Sequence, residues 1–535
     1  MSENASRLAD RFLRIGITAC FVIPALVWSD LVSERFLLPK FVTGEILFLG
    51  TIICCVAVGI GRRPHWASDS LVTAIMVAGV INALLSLAQA AGLPVWHSAR
   101  EGRHVVYGTF GNPNLLAEYL APLAVVGLAG VLGARSRPGR WAAGGAVALF
   151  LLAILLTETR SAWIGLGAGL LVLGLLAGDA RIRRVVAGGL MGTVFLVAVW
   201  APLRSRVALG ITGNDPGVAT RAFMWKVAIA MFKDHPVLGM GWGQYGRRYP
   251  DYAMKLQEAG NGRPMYAGIT NLAHSDPLQL LAEGGLACTG IIVFMFGAFA
   301  WIGLSGIRRT TGEDRLRRSA GLAVAATVVG ESLVAFPFHC FPTACLVLWG
   351  FAAAVPERGG GDLRFPPAAR LILLVVLLFP AVLLRPFMVG AYVVAGELRP
   401  DGAAILEHGL MLAPRDGELR FRLGIARMRE GRMDEAAKEF ERALLVFPDP
   451  DVRFNLGYLA LQRKDHAKAE EWFREGLRRY PYFKAPAWAD YALALNGLGR
   501  RAEARTAAER ALAIDPGLGR ARVFLTELDK KGMRR

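Results

Sequence analysis

The chain has 535 residues, 54% of them hydrophobic, and a formal net charge of +18. So large an apolar share excludes an ordinary soluble enzyme. The charge does not require nucleic acid, because membrane proteins concentrate Lys and Arg in cytoplasmic loops, and that placement accounts for much of the excess.

From the start of the chain, a basic flank (Arg7, Arg11, Arg14) surrounds an apolar run from Phe12 to Trp28. No small-residue cleavage site follows, so this run reads as a retained first helix and not a signal peptide. A bilayer-crossing helix needs roughly 20 apolar residues. Runs of that kind fall at 12–29, 41–60, 70–92, 115–134, 141–157, 161–178, 184–202, 278–305, 320–337, 340–356 and 368–387. The expected fold is therefore all-α, a polytopic membrane helix bundle of about eleven spans. The cysteines Cys20, Cys54, Cys55, Cys288, Cys340 and Cys345 lie in or beside these runs with neither disulfide-framework nor metal-ligand spacing, and read as core thiols.

Alternate connections carry Arg62–Arg63, Arg135–Arg137–Arg140, Arg181–Arg183–Arg184, Arg308–Arg309 with Arg315–Arg317–Arg318, and Arg358 with Arg364. Positive charge marks the cytoplasmic side, which puts the N-terminus inside. The 93–114 loop, the long 203–277 loop and, by the odd count, everything after the last span then lie outside the cytoplasm. The expected division is 1–398 in the membrane, with 203–277 as its outer loop, and 399–535 as a soluble tail.

Before the fourth span stands Thr109-Phe-Gly-Asn-Pro-Asn114-Leu-Leu-Ala-Glu118, a polar turn entering an apolar helix, in which Asn112, Asn114 and Glu118 suit a helix cap or a cavity wall. Thr159-Arg160-Ser161 puts a cation at the outer end of a span, where the charge bias argues against one. The outer loop carries Arg204, Arg206, Arg221, Arg247 and Arg248 among its cations. Its stretch Thr220–Lys233 reads as an amphipathic helix with Thr220 as N-cap and His235-Pro236 as stop, laying Phe223, Trp225 and Phe232 on lipid. Gly239-Met-Gly241-Trp-Gly243 follows. No strand precedes it, so it is a tight turn and not a dinucleotide fingerprint. The loop closes with His274-Ser-Asp-Pro-Leu-Gln279-Leu-Leu-Ala-Glu283 running into a span, and Gln279 and Glu283 there need partners or a wet cavity.

After residue 398 the composition turns charged and a period of about 34 residues appears. Leu423-Gly424, Ala436, Phe440, Ala443 and Pro448 recur as Leu456-Gly457, Ala469, Phe473, Gly476 and Pro481, then as Tyr491-Ala492, Ala504, Ala508, Ala511 and Pro516. Small residues at those places let the two helices of a hairpin approach closely. This is the pattern of tetratricopeptide repeats, an α-solenoid whose concave face suits a protein partner or serves as a stabilising scaffold.

Four segments in this order, GTFGNPNLLAEYLAP, TETRSAWIG, TRAFMWKVAIAMFKDHPVLGMGWGQY and AHSDPLQLLAEGGL, resemble the O-antigen ligase and polymerase superfamily. The resemblance implies a metal-independent, inverting glycosyltransferase without cofactor, in the bacterial inner membrane with its tail in the periplasm. Its donor is an undecaprenyl-diphosphate-linked glycan and its acceptor lipid A–core or another hydroxyl. Arg160, Arg221 and His274 match the family's functional positions. Arginine forks near the diphosphate stabilise the leaving group, and a histidine titrating near working pH suits a general base. Arg204, Arg206, Arg247, Arg248 and Asn114 are further candidates for substrate binding, with membrane lipid as the competing contact for the arginines. The family's histidine is often followed by asparagine, and here Ser275 follows. Ligation to lipid A–core leads the alternatives of repeat-unit polymerisation and transfer to protein hydroxyls. A transporter or flippase is less consistent, since no internal duplication is visible, and a non-catalytic scaffold leaves the outer arginines and His274 unexplained.

Overall fold

The computed structural model describes residues 69–93, 106–199, 215–258, 270, 272–354, 401–447, 449–480 and 484–532, with shorter stretches inside 15–26 and 389–397. Among the described residues the regular structure is helical throughout, with no strand. The expected spans 41–60 and 368–387, most of 12–29, and Arg204 and Arg206 lie outside them.

The chain forms two compact units: one of residues 1–215, 274–277 and 287–387, the other of 216–273, 278–286 and 388–535. The 216–273 segment of the outer loop thus belongs to the same unit as the tail.

The first unit contains α1 (Asp69–Ala90), α2 (Pro113–Gly133), α3 (Arg137–Thr157), α4 (Arg160–Leu176) and α5 (Ala180–Val199). The greater part of α8 (Asp276–Ile307) follows, then α9 (Gly312–Ser332), a short 3-10 turn (Pro337–His339) and α10 (Phe341–Ala354). Four of these, Ser70–Ala90, α2, α3 and α8, are long and apolar enough to cross a membrane, and α4 and α10 are shorter apolar helices. The chain is a polytopic membrane protein with an α-solenoid tail. In place of the span expected at 320–337 stands a helix from Gly312 to Ser332, followed by the 3-10 turn at 337–339. Large apolar side chains stay exposed on α5 (Met191, Phe195) and α8 (Phe294, Trp301), as lipid-facing surfaces require.

Close helix approach in this unit depends on missing side chains. A Cβ at Gly165 of α4 would meet the Thr327 carbonyl of α9 at 2.6 Å, and one at Gly169 the Ala323 carbonyl at 2.9 Å. Small residues one turn apart let two backbones touch where lipid offers no hydrophobic drive for helix association.

In the second unit, α6 (Pro216–Asp234) and α7 (Tyr245–Glu258) come from the outer loop. The tail is α11 (Gly402–Leu412), the helical pairs α12 (Gly417–Arg429) with α13 (Met433–Leu444), α14 (Pro450–Gln462) with α15 (His466–Arg479), α16 (Ala485–Gly497) with α17 (Arg501–Ile514), and α18 (Gly519–Gly532). The repeated small residues do what their period implies. A Cβ on Gly424 would lie 2.5 Å from the Phe440 ring, one on Gly457 2.9 Å from Phe473, and one on Gly476 2.6 Å from Phe454. Ala436, Phe440, Ala443, Ala469 and Phe473 are fully buried. Pro448 and Pro481 lie outside the described residues.

Candidate active site

In the first unit the motifs near residues 112 and 160 interlock. Asn112 caps α2, its side chain accepting from the Asn114 amide at 2.9 Å. The Asn114 side chain then receives the Thr159 hydroxyl at 3.2 Å, just before α4. One turn into α2, buried Glu118 accepts from the Ser161 hydroxyl at 3.0 Å. Two ladder-like contacts therefore fix the start of α4 against the start of α2, with Arg160 between them. Asn114 serves here as a structural partner of Thr159. Arg160 forms an ion pair with Asp215 at 2.9 Å, the side chains 25% and 12% exposed. That degree of burial stiffens the guanidinium more than a surface pair would. Asp215 lies 55 residues further along the chain, and no spacing rule finds such a pair.

His274 belongs to the same unit. Its backbone has φ of 52°, in the left-handed region, which costs a non-glycine residue and clusters at functional sites. Two features hold it there. Its ring meets Phe336 edge to face at 4.8 Å between centroids. Two residues on, the Asp276 amide donates to the Ala335 carbonyl at 3.1 Å. The Asp276 carboxylate also binds the 3-10 turn, accepting from the Phe338 amide at 3.1 Å and lying 2.8 Å from Nδ1 of His339. Asp276 stood in the sequence only as one carboxylate of the outer loop, and His339, inside a Pro-Phe-His-Cys turn, gives no periodic signal.

The second unit carries Arg221, Arg247 and Arg248. Arg221 is half-buried in the second turn of α6. That helix begins at Pro216, so Thr220 is an interior residue and not the N-cap; Pro is well suited to the first helical turn. The apolar face is also covered differently from expectation. Phe223, Met224, Val227 and Met231 pack against Tyr245, Tyr249 and Tyr252 of α7, so Phe223 is buried in protein and not laid on lipid. The Tyr245 hydroxyl donates to the Met224 carbonyl at 3.0 Å. Burial, followed by a hydrogen bond to Asp234 at 2.7 Å, pushes the Tyr252 hydroxyl up to about 12.

The glycine turn between α6 and α7 is built onto the start of α8. Gly239, Gly241 and Gly243 all have positive φ, as does Gly285, where α8 is interrupted by non-helical geometry. Gly239 and Gly285 lie back to back. A Cβ on Gly285 would stand 2.5 Å from the Gly239 nitrogen, and one on Gly239 would stand 2.6 Å from the Gly284 nitrogen. Met240 and Gly241 donate to the carbonyls of Ala282 and Glu283, each at 2.9 Å. The Glu283 carboxylate accepts from the amides of Gly243 (3.0 Å) and Tyr245 (2.8 Å), and so caps α7. Gln279 accepts from the buried Ala273 amide at 3.0 Å. Both polar groups that the sequence left in need of partners have them.

Residues 145–295 match the family model described as O-antigen ligase, and residues 421–482 and 485–518 match tetratricopeptide-repeat models. The first match contains Arg160, Arg221 and His274. No curated protein matches the chain. Among solved structures, MamA is 20% identical over 25% of this chain and 78% of its own, with a TM-score of 0.23. Yeast Tom70 is 11% identical over 89% of this chain and 70% of its own, with a TM-score of 0.20. The APC/C hetero-tetramer Cut9-Hcn1 is 14% identical over 91% of this chain and 90% of its own, with a TM-score of 0.26. Along the chain, the O-antigen ligase family match is thus followed by tetratricopeptide-repeat matches.

Proposed function

From an O-antigen ligase domain joined to a repeat tail, we propose that this membrane protein transfers a polyprenyl-diphosphate-linked glycan to lipid A–core at the periplasmic face of the bacterial inner membrane. The observation that carries the reading is the family match over 145–295, which spans all three candidate catalytic residues. The left-handed backbone at His274 supports it, since strain of that kind is maintained only where the surroundings over-determine it.

In the reaction, the acceptor hydroxyl oxygen attacks the anomeric carbon of the donor and the bond from that carbon to the diphosphate oxygen breaks. The His274 imidazole takes the hydroxyl proton as the new glycosidic bond forms with inversion. Negative charge grows on the departing polyprenyl diphosphate, and Arg160 and Arg221 stabilise it electrostatically. Asp215 orients Arg160, and Asp276, through Phe338 and His339, holds the chain next to His274. Arg204, Arg206, Arg247 and Arg248 make further contacts with the anionic parts of the substrates.

Complementation of a ligase-deficient strain tests this, with lipopolysaccharide resolved on a gel. Wild type restores the high-molecular-weight ladder, and His274→Ala at equal membrane abundance loses at least about 100-fold of it, the usual contribution of a general base. A ladder from both proteins removes His274 from the mechanism. Longer or shorter unligated glycan chains without ligation move the reading to repeat-unit polymerisation, and glycan on protein moves it to transfer onto protein hydroxyls.

A further inference from the structure

Within the second unit, loop helix α7 meets the tail, and the junction is a cleft rich in arginine. Arg247 and Arg248 from α7, Arg453 from α14 and Arg479 from α15 line an open cavity of about 150 Å³, together with Phe447 and Tyr480. Its carboxylates do not balance these charges. Asp251 binds Arg479 at 3.1 Å. Glu475 serves both Arg479 and Arg453, the latter only at 3.5 Å. Four guanidinium groups thus share two carboxylates. Arg247 donates to the Leu445 backbone carbonyl, which satisfies a donor and leaves the charge in place. Arg453 has a side chain only 12% exposed, and its Nε reaches Glu475 only at that long distance. Burial and the neighbouring Arg479 both press its pKa downward, although a guanidinium stays protonated regardless. Crowded like charges at a cleft with too few counter-charges raise the local positive potential and favour an anion there.

We infer that this cleft binds an anionic group carried by a saccharide, a phosphate monoester or a uronate carboxylate, and that the tail takes part in substrate recognition through Arg453 and Arg479. The anion follows from the cleft itself, and the saccharide rests on the glycan transfer proposed above. Guanidinium forks match the planar carboxylate and the phosphate alike. An open cleft of this size admits a single charged sugar.

The test is isothermal titration of the full-length protein in detergent micelles with glucose 6-phosphate, glucuronate and glucose. Either or both anions bind, and glucose does not. Binding of only one identifies which anion the cleft takes. Arg248→Gln, which alters an exposed side chain, weakens the anion about tenfold, and adding Arg247→Gln weakens it about tenfold more, the magnitude of a charge-assisted hydrogen bond. Arg501→Gln removes an exposed tail charge that is not part of the cleft lining and leaves affinity unchanged. Affinity that survives both cleft substitutions overturns the inference, as does glucose binding as tightly as the anions. Because no donor is present, failure here leaves glycan transfer untouched, and loss of transfer in His274→Ala says nothing about the cleft.

Discussion

In the tail, arginines meet carboxylates close at hand: Arg500 with Glu503 at 2.6 Å, Arg432 with Glu435 at 2.5 Å, and Arg420 with Glu439 of the partner helix at 2.9 Å. In the membrane unit the polar contacts join distant stretches, Thr159 with Asn114, Arg160 with Asp215, and Asp276 with His339. The tail's pairs sit mostly at a wet rim, where each contributes about 0–1 kcal/mol and many are replaceable. The membrane unit has few polar groups in surroundings that punish an unmatched one, so each contact fixes a position. A solenoid gains stability from repetition, whereas the candidate site gains geometry from single contacts that have no substitute.

The sharpest way to break this contrast is at a single irregular contact. Gly285→Ala places a Cβ against the Gly239 backbone at a residue with φ of 61°. It costs about 3 kcal/mol or more by combining strain with a backbone clash. Hydrogen exchange across 236–258 should rise toward that of unfolded chain while α12–α17 stay protected. Unchanged protection there refutes the back-to-back packing. Gly424→Ala makes the comparable change in the tail. Its Cβ meets only the movable Phe440 ring, so the cost is about 1–3 kcal/mol, read as a lowered melting temperature. Should Gly424→Ala prove the more damaging, the contrast between repeat and single contact fails.

Smaller effects sharpen it. Asp215→Asn keeps the size of the side chain and removes the counter-charge of Arg160. Transfer should fall about tenfold, which is about 1.4 kcal/mol, with membrane abundance unchanged. A rate equal to wild type would mean that Arg160 needs no orienting partner. At the rim, a hydrogen bond from Arg427 holds the Glu430 carboxyl below its ordinary value. A depressed folded pKa gives stability that is present above the ordinary carboxylate range and lost as pH falls through the folded value. Glu430→Gln should therefore lower the melting temperature slightly at neutral pH and leave it unchanged in acid, which flattens the acid limb. A steeper acid limb in the variant counts against this.

The tail was legible because its code is local. Gly424 and Phe440 recur one period later as Gly457 and Phe473, and close packing between paired helices admits few other residues there. The glycine turn at 239–243 was legible in kind, because positive φ selects glycine. Its anchor on Gly285 and Glu283 was not, since Glu283 comes 40 positions after Gly243 and Gly285 further still, in what looks like ordinary helix. The amphipathic face of α6 was legible, but its cover was not: periodicity announces that Phe223 and Met231 will be buried, without saying whether lipid or the tyrosines of α7 will bury them. His274 stood out through its segment, whereas Asp215, Asp276 and His339 became visible only once the fold had joined them.

The break at Gly285 also divides the helix into two arms. As one straight rod, Asp276–Ile307 would extend about 48 Å at 1.5 Å per residue, well beyond a hydrocarbon layer of about 30 Å. From Leu286 to Ile307 the length is about 33 Å, a near match to that layer. The exposed Ile291, Val293, Phe294 and Trp301 all fall on this longer arm. The arm after Gly285 is thus long enough by itself to cross such a layer, so its length does not require Gln279 and Glu283 to enter the oil, where a carboxylate costs most.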